Sequence, residues 1–334
     1  MQYEKSDENE SQITPEEYLK KQKSAIRKRA FWFIGFGVLI LVFHFVAVFI
    51  EALEVRDLFR SIFFILGLFA LFGGVWGIYY AAKVTLQDLI PTPEAVEFLR
   101  QARDSRAYFS YILVGLIVVV TLFQLKTETV DSLFAVGEQS AEIAGLVKPS
   151  VWQGEYWRLL TYATLHGFFP LHLYFNAQAL YGFGSLIEFL SNRAHLAIVF
   201  LSAIVGGGLL SLFFMPEVTS IGASGGIMGL IGYLAIYGYR RKRQLPPDFL
   251  KTMLINIGFI AAFGIIAYQI VDNFGHLGGF ITGAIYGFVQ IPKDLQKNPR
   301  SVGTITELFG YAALGVFIFT CLLSVLLLLR VVKL

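Results

Sequence analysis

The chain of 334 residues has one cysteine and little charge: Asp, Glu, Lys and Arg make up 15% of it. A lone Cys321 excludes an intrachain disulfide framework, and its place inside an apolar run reads as packing. The 27 basic and 24 acidic residues leave a net charge of only +3, and the basic ones sit beside apolar runs rather than in a stripe interleaved with aromatics. That pattern excludes a nucleic-acid partner. No cluster of potential metal ligands has catalytic spacing, so neither a metal nor a cofactor is expected. Internal repeats, low-complexity tracts and a soluble domain are also missing. What abounds is apolar surface, with 56% hydrophobic residues and a mean hydropathy of +0.63. One soluble core cannot hide that much, so the chain reads as an all-α polytopic membrane protein.

A crossing needs about 20 apolar residues, and nine segments qualify: 31–50, 61–82, 107–124, 170–190, 195–214, 222–239, 251–271, 276–291 and 307–329. The polar tail 1–30 turns from acidic to basic, and with no small-residue cleavage site after the first run it reads as part of an uncleaved signal-anchor. The basic stretches in the tail, in 83–106, at Arg193, in "YRRKRQ" and in "PKDLQKNPR" all fall on one side of nine threaded spans. They mark that side as cytoplasmic, with the N-terminus inside. The expected organisation is a tail (1–30), a two-span unit (31–82), a linker with Pro91, Pro93 and a short amphipathic helix (83–106), a core (107–291), and a loop with one extra span (292–334). The outer segment 125–169 is long enough to be functional or interfacial, with Trp152 as an interface anchor.

Unusual polar residues open three spans that run from outside to inside. "LHLYFN" places His172 and Asn176 on one helix face, "GASGG" holds Ser224 and "VDNFGHLGG" holds His276. Intramembrane polar and ionisable residues are costly and are functional candidates by default. Ser224 lies 16 residues before Arg240 and His276 lies 17 before Lys293, or about 24 and 25 Å at the helical rise. The two therefore share a depth beneath the outer face. Gly279, Gly283 and Gly287 recur every four residues, and Gly222, Gly225, Gly226, Gly229 and Gly232 crowd the Ser224 span. Such small faces let helix backbones approach closely, as a short serine must to reach a histidine. A serine, a base that activates it and a helix N-terminus that favours negative charge make a constellation for acyl transfer. Asp272 reads as a loop residue and supplies no third acid. His44, without a polar partner in its run, and His195, at the inner interface, read as packing and interfacial residues, while His166 fits a structural or a functional role equally.

With "GASGG", "HLYFN", "GHLGGFITG" and "YWRLLTYATLHG" in this order, the segment 107–291 resembles the rhomboid intramembrane serine proteases. The resemblance implies a six-helix core with two extra N-terminal spans and one extra C-terminal span. It assigns Ser224 as nucleophile and His276 as base, with Asn176, His172 and the Ser224 amide at the oxyanion site and Gly222 beside them. Trp157 and Arg158 match the loop signature. Departures are the six-residue spacing of His166 and His172, Met228 where an aromatic ring often stacks on the histidine, and Gly275 for alanine. Implied partners are transmembrane protein substrates within the lipid bilayer of a bacterial plasma membrane, cut near the outer face. The sequence sets neither the substrate nor the oligomeric state. Two other classes are an inactive rhomboid-like binding or quality-control factor, which would be expected to lose Ser224 or His276, and a transporter, for which an inverted repeat and a buried coupling acid are missing. Because the last span lies outside the motif-bearing core, Gly310 is expected to tolerate a bulkier residue.

Overall fold

The computed structural model describes residues 14–50, 61–89, 93–128, 138–167, 170–268 and 271–332. The acidic start of the tail, Pro91 and part of the outer segment, 129–137, lie outside them. Two compact units divide the chain, Met1–Pro93 and Glu94–Leu334.

In the first unit, α1 (Pro15–Phe49) begins well before the apolar run. Thr14 and Glu17 form a capping box, Glu17 N donating to Thr14 Oγ1 at 3.2 Å and Thr14 N to Glu17 Oε2 at 3.0 Å, with Pro15 opening the helix. Helix α2 (Ile62–Lys83) packs back on α1 through small residues. A Cβ on Gly37 would come within 2.7 Å of the Gly67 carbonyl oxygen. His44, expected to lack a polar partner, has two: its Nε2 meets Ser61 Oγ at 2.8 Å and its Nδ1 the Ile40 carbonyl at 3.0 Å. The short α3 (Leu86–Leu89) follows.

The second unit opens with the amphipathic α4 (Pro93–Asp104), whose Phe98 packs edge-on against Phe189. Helix α5 (Tyr108–Thr127) leads to a segment of short helices: α6 (Glu138–Ala144), α7 (Lys148–Trp152) and α8 (Arg158–Thr161), the last running into a tight turn over Tyr162–Thr164. Five long helices complete the bundle: α9 (Leu171–Leu190), α10 (Arg193–Phe214), α11 (Ser224–Arg240), α12 (Phe249–Ile266) and α13 (Asn273–Gln290). Helix α14 (Thr304–Leu328) follows them. Among the described residues there is no strand, only one antiparallel bridge between Leu146 and Ser220. The protein is an all-helical, multi-pass membrane protein.

Among the described residues six helices, α1, α2, α5, α10, α12 and α14, are long and apolar enough to cross a membrane. The other three long ones, α9, α11 and α13, carry the polar candidates. Their composition follows from their surroundings. Helix α11 is buried on nearly all sides by protein, so close packing governs its residues more than contact with lipid. By contrast α12 turns Leu254, Ile255, Phe259 and Ile265 outward.

Within the second unit the most extensive pairings join α11 to α13 and α10 to α13. A Cβ on Gly279 would overlap the Gly225 carbonyl oxygen, and one on Gly283 would overlap that of Gly229. Helix α14 packs against α10 and α5, with Phe317 edge-on to Phe200 at 5.2 Å and Ser324 bonded to Thr164 at 2.9 Å. The expectation for Gly310 is therefore wrong. A Cβ there would come within 2.5 Å of Ala194 Cα, because α14 belongs to the same packed unit as α10.

Candidate active site

Ser224 is the first residue of α11, and His276 lies in the first turn of α13. Their side chains meet, His276 Nε2 standing 2.8 Å from Ser224 Oγ across 52 residues of sequence. For Nε2 to accept the serine proton, the ring must carry its own hydrogen on Nδ1. No carboxylate among the described residues bonds that Nδ1. Both oxygens of Asp272 are taken up elsewhere, Oδ1 by the Gly275 amide at 2.7 Å and Oδ2 by the hydroxyls of Ser211 and Ser220 at 2.5 Å each. Asp272, outside the helix as expected of a loop residue, is the N-cap of α13. Met228 is buried one turn into α11, and no aromatic ring among the described residues pairs with the His276 ring.

Oxyanion candidates gather at the same end. At the N-terminus of α11 the amides of the first turn have no helical carbonyl behind them and point outward. Gly222 just before it has φ of +123°, a conformation that glycine adopts without strain. Its amide donates to the Tyr162 carbonyl at 2.9 Å. A Cβ on Gly222 would come within 2.9 Å of His172 Cε1 and 3.0 Å of its Nε2, so the imidazole rests on the bare glycine. Asn176 is buried and donates one amide hydrogen to the His172 carbonyl at 2.9 Å, which leaves its second hydrogen for another acceptor. His166 stands edge-on to His172 at 5.2 Å. Its backbone is clamped in both directions by Gln124 and its Nδ1 lies 3.2 Å from Thr121 Oγ1, so it anchors the loop to α5.

The segment of short helices α6 to α8 is a lock on these helix ends. Arg158 is buried, bonds Glu155 through Nε at 2.5 Å and the Gly145 carbonyl through a terminal nitrogen at 2.9 Å, and lies over the Trp157 ring at 4.5 Å. Sequence reasoning passed over two residues here. Tyr162 is buried and donates to the Ile204 carbonyl on α10 at 2.8 Å, while a Cβ on Gly225 would come within 3.2 Å of its hydroxyl. Lys148 is 1% exposed and donates to Ser220 Oγ at 2.6 Å and to the Val218 carbonyl. Burial pulls its ammonium down to about 8, a fall that the negative charge of Asp272 partly opposes. Trp152, exposed as an interface anchor would be, packs edge-on to Phe213.

Residues 153–293 match the family model described as "Rhomboid domain", a segment that contains Trp157, Asn176, Ser224 and His276 together. The chain carries a rhomboid domain. Over 188 residues, 54% of this chain and 34% of the relative, it is 29% identical to "Rhomboid protease GluP" of Bacillus subtilis (strain 168). It is 32% identical over 150 residues to "RHOMBOID-like protein 6, mitochondrial" of Arabidopsis thaliana, covering 43% of this chain and 47% of the relative. With "Putative rhomboid protease YdcA" of Bacillus subtilis (strain 168) the identity is 27% over 148 residues, 44% of this chain and 73% of the relative. The chain spans about a third to a half of the length of the first two. The matched segment takes in α8 to α13 and begins after Lys148, while α1, α2 and α14 lie outside it.

Proposed function

We propose that this protein is an intramembrane serine endopeptidase that hydrolyses peptide bonds in or near the transmembrane segments of other membrane proteins. The observation that carries the reading is the 2.8 Å contact of Ser224 Oγ with His276 Nε2 at two helix N-termini inside the segment that matches the rhomboid family model. In this reading Ser224 loses its proton to His276 Nε2 as Oγ bonds to the scissile carbonyl carbon. The resulting oxyanion takes hydrogen bonds from the Ser224 amide, Asn176 and His172, aided by the positive end of α11. His276 returns its proton to the leaving amine as the C–N bond breaks, and the acyl group stays on Ser224. A water then gives a proton to His276 and its oxygen to the carbonyl carbon, and Ser224 recovers its hydrogen as the acid product leaves.

Substrates of this kind would be single-span proteins unwound near the outer face. The basic inner loops support a cytoplasmic N-terminus and a site opening outward, as in a bacterial plasma membrane. A mechanism-based serine-hydrolase probe, followed by peptide mapping, tests the reading. Labelling at Ser224 that disappears in His276→Ala supports it. An unlabelled Ser224 in folded, reconstituted protein would leave the domain as an inactive membrane-protein binding factor.

A further inference from the structure

Two polar residues that the reacting pair does not use lie just ahead of the helices that carry it. Ser220 precedes Ser224 by four residues, Asp272 precedes His276 by four, and the Ser220 hydroxyl donates to Asp272 Oδ2 at 2.5 Å. The same oxygen accepts from Ser211 of α10 at 2.5 Å. Asp272 also accepts the Gly275 amide on Oδ1 at 2.7 Å and the His276 amide on its main-chain carbonyl at 3.0 Å. From the outer segment, Lys148 reaches Ser220 Oγ at 2.6 Å, and the main chain of Ser220 pairs with Leu146.

The chemistry of this chain is directional. Ser220 accepts from an ammonium and donates to a carboxylate, both roles that a hydroxyl can fill at once. Lys148 is almost wholly buried, and a buried charge stripped of its counter-charge is strongly destabilising. The two charges therefore hold one another across the serine. We propose that Asp272 is a positioning residue for the dyad, the hub of a Lys148–Ser220–Asp272 strut that sets the height and rotation of the first turns of α11 and α13. The inference rests on the reading of Ser224 and His276 as the reacting pair. Glycine contacts decide how near the two helices come, and the strut decides how their outer ends are offset. Asp272 touches no reacting atom and acts through Gly275 and Ser220. Lys148 precedes residue 153, so the strut reaches beyond the segment that matches the family model.

The test uses the full chain in proteoliposomes with a model single-span substrate, reading kcat, KM, probe labelling and thermal unfolding. Asp272→Asn keeps a carbonyl oxygen for the Gly275 amide and so keeps a good N-cap, but its amide nitrogen cannot accept from two hydroxyls and its charge is gone. The expected result is a folded protein whose kcat falls by roughly 10²-fold at unchanged KM, the loss that about 1 Å of misplacement brings. Ser220→Ala should show the same selective loss, and Ser220→Thr, which keeps the hydroxyl, should recover most of it. If Asp272 were only a cap, Asp272→Asn would retain wild-type kcat, and that result overturns the strut. Should Asp272→Asn fail to fold, wild-type kcat in folded Ser220→Ala overturns it instead. Cleavage by the wild type that is lost in Ser224→Ala separates the two ideas. With that control in place, wild-type kcat in these variants sinks the strut alone, whereas a wild type that neither cleaves nor labels sinks the protease reading and the strut with it.

Discussion

His276 Nε2 and Ser224 Oγ lie 2.8 Å apart because the helices that carry them touch through bare backbone about one and two turns further along α13, at Gly279 against Gly225 and Gly283 against Gly229. Any side chain at Gly279 or Gly283 must separate the helices, since the atoms it would strike are main-chain carbonyls that cannot rotate away.

Gly283→Val is therefore expected to cut substrate cleavage by roughly 10²-fold or more and to lower the unfolding temperature, although it touches neither reacting group. Gly315→Ala is the matched control. A Cβ at Gly315 meets nothing within 4 Å, and alanine favours a helix over glycine by up to about 1 kcal/mol, so stability should hold or rise. Full activity in Gly283→Val would end the close-approach argument.

Gly222→Ala carries two penalties, a φ of +123° and a contact with His172 at 2.9 Å. Strain of this kind costs on the order of 1–3 kcal/mol. Cleavage should fall and His172 should shift, which a change in its ring resonances by NMR would report. Unchanged resonances and rate would mean that the turn accepts a side chain.

Asn176→Ala removes one proposed oxyanion donor, so kcat should fall by about 10² to 10³-fold while probe labelling of Ser224 persists at a reduced rate. A wild-type kcat would return Asn176 to the role its present bond suggests, a link to the His172 carbonyl.

Tyr162→Phe removes the buried hydroxyl that donates to the Ile204 carbonyl of α10 at 2.8 Å. The loss of such a bond costs about 0.5–1.5 kcal/mol, so thermal unfolding should move down by a few degrees. An unchanged unfolding temperature would show that this bond adds nothing to the stability of the fold.

Much of the site was legible in the sequence because helical rise is fixed. Counting residues from Ser224 to Arg240 and from His276 to Lys293 put both side chains at one depth, and the four-residue recurrence of Gly279 and Gly283 pointed to a close helix pair. Asp272 does lie outside the helix, but its capping role goes beyond the loop reading, although an aspartate just ahead of an apolar helix is a known start signal. The capping box at Thr14 and Glu17 was passed over for the same reason, since the apolar run at Phe31 drew the boundary. Other features were beyond local reading. Lys148 and Ser220 are 72 residues apart, His44 and Ser61 are 17 apart, and Gly310 meets Ala194 only because α14 folds back on α10. Nothing in the neighbouring residues of any of these encodes its partner.

The central claim is that Ser224 is the nucleophile of a protease, and cleavage by paired proteoliposomes tests it most directly. Wild type and Ser224→Ala, matched for expression and unfolding temperature, are each co-reconstituted with a single-span substrate, and product is quantified over time. The account predicts product from the wild type and none from Ser224→Ala. Equal product from both would contradict it.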